Sequence, residues 1–271
     1  MKFSLKTLAS AVALAVAAGG ANAAIDNGAG GNGELFFNIW DANGSYSLDL
    51  NTSINSFQSA LAAAGNLDLS WAADSTLTSF LATANTAELQ WNIMATDTQG
   101  AVRLLTTYTA PEPSVTKGDD VIRTAATNAQ TFVIAVNNEL GSANSVSVNA
   151  ASAAYAGIAT FGNNVNGKLN FSNTGTLANN SFASGLGFMR IDGKAGLSNP
   201  SAYNEYYDPS NNLLASIIDP AAGGNVNAYF DASNTLHIAA LPVPEPESYA
   251  MLLAGLGMLG FMARRRLNNR G

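Results

Sequence analysis

Cysteine is absent from the 271 residues, and there is a single histidine. The missing cysteine excludes a disulfide scaffold, a thiolate metal site, a CxxC redox pair and a cysteine nucleophile. One histidine excludes a histidine-rich metal cluster. Charge is scarce as well: Asp, Glu, Lys and Arg make up 11% of the chain, against about 25% in an ordinary soluble domain. Basic residues are the scarcer sign, with 12 Lys and Arg against 19 Asp and Glu and a formal net charge of -7. That balance argues against nucleic acid as a partner, because phosphate neutralisation needs clustered Lys and Arg.

Both ends of the chain have the form of targeting devices. Lys2 and Lys6 precede an apolar run from Leu8 to Ala18, Gly19 and Gly20 break it, and Ala21-Asn22-Ala23 supplies a small-x-small site. Positive start, apolar run and small-residue site in that order predict a signal peptide over 1–23, removed by signal peptidase so that Ala24 begins the mature chain. The other end opens with Val243-Pro244-Glu245-Pro246, extended because each proline fixes φ and removes a donor. Tyr249 to Ala263 then carries no charge, and Arg264, Arg265 and Arg266 follow. Fifteen helical residues rise about 22 Å, short of a hydrocarbon core of about 30 Å, so the segment 249–263 spans only with bilayer thinning or arginine snorkelling. The arginines hold to the cytoplasmic side. Both ends thus place the middle of the chain beyond the cytoplasmic membrane.

The proline–glutamate–proline tripeptide, the short apolar helix and the terminal arginine cluster, in that order, resemble the PEP-CTERM sorting signal of Gram-negative bacteria that make exopolysaccharide. The resemblance covers 242–271 and implies recognition and removal of the tail by a membrane-embedded exosortase, transient membrane anchoring, and passage to the cell surface or extracellular matrix. Pro111-Glu112-Pro113 repeats the tripeptide with neither apolar run nor arginines after it, and reads as a plain loop.

Between the ends lie residues 24–241. Six of the twelve basic residues fall in the ends but only Glu245 and Glu247 of the acidic ones, so the passenger holds 17 acids against 6 bases. Asn, Ser, Thr and Gly fill its polar positions, offering amides and hydroxyls to sugar hydroxyls or to further copies of the chain. Residues 26–33 read as a flexible leader. Strands are expected at 34–40 and 45–50 about an Asn43-Gly44 hairpin turn, at 67–71, as a hairpin over 88–109, and at 186–191, 204–208, 227–231 and 235–241. Helical spacing marks 54–64 and a short helix capped by Asp74. Apolar residues at 122, 125, 129, 132, 133, 136 and 140 favour a third helix, although the β-branched run 131–136 leaves a strand open. The expected fold class is α+β, a hairpin-rich passenger with two or three helices. Glu34-Leu35-Phe36-Phe37-Asn38-Ile39 echoes Glu88-Leu89-Gln90-Trp91-Asn92-Ile93, so a duplicated unit at 34–65 and 88–109 is one reading and chance the other.

Residues with chemical potential are few. Gly28 to Gly33 matches G-x-G-x-x-G, but no strand precedes it and no helix follows, so it reads as linker rather than a phosphate cradle. Asp41 to Asp49 resembles a calcium loop in part; its glycine is misplaced and the closing Glu is missing. Glu34 and Glu88, equivalent in the echo, would form a glycosidase-like carboxylate pair if the two units packed symmetrically. Trp40, Trp71, Trp91, Tyr203, Tyr206 and Tyr207 are candidates for stacking on sugar rings, with core packing as the alternative. His237 stands alone in an alternating strand, without the G-x-S-x-G elbow a serine hydrolase of that kind carries. No catalytic set, cofactor or metal site follows from the residues. The expectation is a non-enzymatic envelope or extracellular-matrix protein, structural or associated with exopolysaccharide; a polysaccharide hydrolase and a calcium-stabilised adhesion module are the alternatives.

Overall fold

The computed structural model describes residues 14–15, 24–64, 67–99, 102–108, 116–117, 119–157, 185–192, 213–214, 216–217 and 226–240. In chain order the elements are β1 (Leu14–Ala15), β2 (Glu34–Trp40), β3 (Gly44–Ser53), α1 (Ile54–Ala64), β4 (Asp68–Trp71), α2 (Ser75–Thr83), β5 (Gln90–Asp97), β6 (Arg103–Tyr108), β7 (Thr116–Lys117), α3 (Asp119–Leu140), β8 (Ser145–Asn149), β9 (Leu186–Asp192), β10 (Leu213–Leu214), β11 (Ser216–Ile217), β12 (Val226–Phe230) and β13 (Leu236–Ala240). The passenger is strand-rich, with three helices among the described residues. One large sheet runs β1-β4-β13-β12-β9-β6-β5-β2-β3-β8, with β11 beside β9. Its pairings are antiparallel except for β1, which lies parallel to β4. Except at 14–15 the expected signal peptide up to Ala23, the strand expected at 204–208, the second PEP tripeptide and the whole of 242–271 lie outside the described residues.

Local sequence explains the joints. Asp41 turns the β2–β3 hairpin by accepting the Asn43 and Gly44 N–H groups on Oδ1, at 2.8 and 3.1 Å. Asp74 caps α2, its Oδ1 accepting the Leu77 N–H at 2.7 Å. In α3 the apolar spacing prevails over the β-branched run, because Ala125, Ala129, Phe132, Val133, Val136 and Leu140 form one buried stripe.

The sheet curls strongly. Strands β2 and β12 stand four places apart in its order, a flat separation of roughly 19 Å. Yet the Phe37 and Phe230 rings meet at 5.4 Å, and Trp91 meets Phe230 edge-on at the same distance. These rings fill the inside of the curl together with Ile54 and Phe57 of α1 and Leu77 and Phe80 of α2. Alternate residues of the same strands, among them Phe36, Trp40, Met94 and Leu104, face the other way and are covered by α3. Asp74 fastens the curl: its Oδ2 accepts both the Tyr46 hydroxyl of β3 and the Ser145 hydroxyl of β8, at 3.0 and 2.6 Å.

The sequence echo falls at the centre of the sheet. Strands β2 and β5 pair so that Asn38 stands opposite Asn92, Phe37 opposite Ile93 and Ile39 opposite Trp91. Each copy's aromatic residue thus faces the other copy's isoleucine inside the curl. With β3 beside β2 and β6 beside β5, the four strands are related by a local pseudo-twofold. The helices break that symmetry, for α1 packs inside the curl and α3 outside it, so the resemblance between the two units stops at the strands.

Residues 26–33 are not a loose leader. Gly28 accepts the Thr98 N–H and Gly33 accepts the Ile54 N–H, at 3.1 and 3.0 Å. Gly28 adopts φ +73°, and a Cβ there would sit 1.9 Å from the Thr96 carbonyl oxygen. Close backbone approach, rather than flexibility, accounts for the glycine here.

Candidate functional site

The carboxylates picked out from sequence do not assemble a catalytic pair. Strands β2 and β5 are paired from Phe36–Met94 at one end to Trp40–Gln90 at the other. Glu34 lies beyond the first end and Glu88 beyond the second, roughly 25 Å apart at strand rise. The echo's symmetry is that of an antiparallel pair, which sends equivalent first residues to opposite ends. Glu34 instead accepts the Asp26 N–H on Oε2 at 2.8 Å, and Glu88 is exposed in the turn before β5.

Asp41 is likewise unsuited to calcium. Besides the two turn amides, its Oδ2 accepts the Asn85 N–H at 2.8 Å. Burial opposes ionisation, but the amides of Asn85, Asn43 and Gly44 outweigh it and hold the carboxyl below its ordinary range. Both oxygens are thereby spent on backbone. Asp49 lies on the face of β3 turned toward the outside of the curl, its Oδ1 accepting the Asn51 N–H at 2.7 Å. Asp97 holds Arg103 through two donors, at 2.9 and 2.6 Å. Among the described residues no group of three or more His, Asp or Glu is arranged to hold a metal ion.

The tryptophans are core residues: Trp91 is fully buried, and Trp40 and Trp71 are 6% and 9% exposed. None of the three presents a ring for stacking on a sugar. Tyr203, Tyr206 and Tyr207 lie outside the described residues. On the outer side of the sheet a polar row runs Ser47–Asn38–Asn92, fully enclosed. Ser47 Oγ donates to Asn38 Oδ1 at 2.7 Å, and Asn38 Nδ2 donates to Asn92 Oδ1 at 3.0 Å. Among the described residues Asn92 Nδ2 has no hydrogen-bond partner.

His237 does stand in a cluster, one that involves residues the sequence reading passed over. The β12–β13 hairpin turns at Asp231, whose Oδ1 accepts the Ser233 and Thr235 N–H groups at 2.8 and 2.9 Å. That turn sets Tyr229 opposite His237, and β13 in turn sets His237 opposite Ser70 of β4. The Tyr229 and His237 rings stack at 4.8 Å with 8° between their planes. His237 Nε2 lies 3.5 Å from Asp231 Oδ2, and its Nδ1 lies 3.5 Å from Asp68 Oδ1. The histidine side chain is 19% exposed, while Asp68 and Asp231 are 54% and 40% exposed. The Thr235 amide, then that of Ser233 and the neighbouring histidine, keep Asp231 below its ordinary range. Burial and the two carboxylates push the Tyr229 phenol up, so it keeps its proton as a donor. The readable signal was the short 231–235 connection, which makes 226–230 and 236–240 a hairpin and brings Tyr229 and His237 to one face.

The chain's C-terminus is decided by comparison with family models. Residues 242–266 match the PEP-CTERM protein-sorting motif. The chain carries a PEP-CTERM sorting signal. The match contains Val243, Pro244, Glu245 and Pro246 and runs through Arg264, Arg265 and Arg266. A PEP-CTERM signal of this kind marks an exported protein that an exosortase recognises and sorts at the membrane, followed by placement at the surface. No curated protein and no solved structure matches the chain, and no family is assigned to the passenger.

Proposed function

We propose that the passenger is a non-enzymatic envelope or matrix protein that associates with exopolysaccharide after exosortase sorting. The observation that carries this reading is the PEP-CTERM signal at 242–266, which fixes the route. The passenger's chemistry supports the role. In its sequence Asn, Ser, Thr and Gly fill the polar positions in place of charge, and amides and hydroxyls exchange readily with sugar hydroxyls. The acids nominated for hydrolysis, Glu34 and Glu88, stand at opposite ends of a strand pair, and in the loop nominated for calcium, Asp41 to Asp49, Asp41 is held by three backbone amides and Asp49 accepts that of Asn51.

Co-sedimentation of the purified, surface-released protein with the producing cell's exopolysaccharide tests this. The protein is expected to pellet with the polymer and to leave its chain length unchanged. Protein that stays in the supernatant contradicts the association, and release of shortened glycan contradicts the non-enzymatic role.

A further inference from the structure

Strand β1 (Leu14–Ala15) lies within the apolar run from Leu8 to Ala18 of the expected signal peptide. It pairs parallel with β4, Leu14 beside Leu69 and Ala15 beside Ser70. The other side of β4 pairs antiparallel with β13, so β1 takes the side on which the sheet of described strands otherwise ends. An open edge presents backbone N–H and C=O groups that any extended backbone can pair with. The run suits that place. From Leu8 to Ala18 it holds only Leu, Ala, Ser and Val, with no proline to remove a donor and no charge to keep it in water. The mature end of the chain is held as well. Ile25 is 2% exposed, its N–H donates to Asn137 Oδ1 at 3.0 Å, and its carbonyl accepts from Asn137 Nδ2 at 2.9 Å. The Asp26 N–H donates to Glu34 Oε2 at 2.8 Å. The bond expected to be cut, between Ala23 and Ala24, thus stands one residue ahead of a clamp on α3, whereas proteolysis favours exposed backbone that is not tied down.

We propose that the outer edge of β4 is a docking site for the chain's own export signal, and that a passenger folded before export captures the apolar run there and shuts the signal off. The two uses of the run exclude each other. A lone segment entering a bilayer must bond its backbone internally, which makes it a helix, whereas Leu14 and Ala15 on β4 are extended and spend their backbone groups on the passenger. Capture is intramolecular, so the covalent link holds the run at high effective concentration beside the edge. The edge forms only when β4, β13 and their neighbours have assembled, because the strands on either side of β4 come from opposite ends of the chain. The signal is therefore open while the passenger is unfolded and closed once it folds, and removal of 1–23 leaves β4 as the end of the sheet. The proposal rests on the reading of 1–23 as a signal peptide and is independent of the polysaccharide association.

The full chain has no cysteine, so Ala15→Cys combined with Ser70→Cys sets its only two thiols at directly paired positions. Neighbouring strands lie about 4.8 Å apart, within reach of a disulfide. Diluted from urea and allowed to fold, the full-length double variant is expected to form an intramolecular disulfide under mild oxidation. Ala15→Cys combined with Thr127→Cys, at an exposed position of α3, is expected not to, and unfolding curves check that both variants fold. The second arm is cleavage of the wild-type full chain by proteoliposomes carrying signal peptidase, with the chain added either straight from urea or after folding. Cleavage after folding is expected to be slower by about tenfold or more, since proteolysis follows the population in which the segment is open. Asn137→Ala, which frees Ile25 but leaves the β4 edge in place, is expected to remain slow. No disulfide above the control overturns the docking site. A disulfide together with equal cleavage of folded and unfolded chain overturns the shut-off, and so does full recovery of the fast rate in Asn137→Ala, which assigns the protection to the clamp. A chain left uncut even when added unfolded removes the signal-peptide reading and the proposal with it.

Discussion

Replacing Asp74 should open the curl of the sheet. Its carboxylate does three things at once: Oδ1 caps α2 through the Leu77 N–H, and Oδ2 accepts the hydroxyls of Tyr46 and Ser145. Loss of an N-cap costs about 1 kcal/mol. Tyr46 is 1% exposed and Ser145 9%, so neither hydroxyl regains water, and each buried hydroxyl left without an acceptor costs about 1–3 kcal/mol. The Ser145 hydroxyl can rotate toward another acceptor, which places the total for Asp74→Ala at about 3–5 kcal/mol, a large share of a typical domain stability of about 5–15 kcal/mol. Urea unfolding of the mature protein measures it. A second variant isolates the cause. Tyr46→Phe alone removes a good hydrogen bond and should cost about 1 kcal/mol, but in the Asp74→Ala background it deletes an already orphaned hydroxyl and should cost nothing or stabilise. A loss below about 1 kcal/mol for Asp74→Ala, or strict additivity of the pair, refutes the clasp.

Two further predictions concern buried polar groups. Burial pushes the Asp49 carboxyl from an ordinary 3.8 up to about 6, against the pull of the Asn51 N–H and with the charge of Glu34 adding to it. The folded state therefore binds this proton more tightly than the unfolded chain, so the group's stabilising contribution is full below about pH 4 and is lost as pH rises through 6. Asp49→Asn is expected to stabilise the protein by about 1–2 kcal/mol at pH 8, after allowance for solvent screening, and by almost nothing at pH 4; equal effects in unfolding curves at the two pH values contradict it. Asn38→Ala strips partners from Ser47 and Asn92 and should cost about 2–4 kcal/mol. Asn92→Ala should cost less, because its Nδ2 has no partner among the described residues, and the reverse ranking in the same assay refutes the account of the polar row.

What could be read from sequence was local. The Asp74 cap and the stripe of α3 each depend on residues within a few turns of chain, and each formed as its pattern required. The β2–β3 hairpin formed too, but its turn lies one residue earlier than the Asn43-Gly44 pattern suggested, with Asp41 paired to Gly44 around Ala42 and Asn43, and with Gly44 lacking a positive φ. The sorting signal was legible for the same reason, as three elements contiguous at one end. What escaped depends on distant register. That Glu34 and Glu88 part company follows from antiparallel pairing of β2 with β5, which equivalence in sequence does not specify. Trp40, Trp71 and Trp91 were ambiguous because an alternating strand offers both faces, and here α3 covers one face of the central strands while the curl encloses the other. Residues 26–33 looked flexible from glycine content, but those glycines permit close packing against β5. The Tyr229–His237 cluster needed the β12–β13–β4 register, with Asp68 contributed from a strand about 170 residues earlier in the chain.

The central claim is that the chain reaches the surface as a sorted and trimmed passenger. The intact mass of the protein recovered from the cell surface or medium tests it most directly. The account predicts a chain that begins at Ala24 and has lost the apolar stretch 249–263 with Arg264, Arg265 and Arg266. A surface form whose mass still includes 249–271, unchanged when the exosortase is deleted, would contradict it.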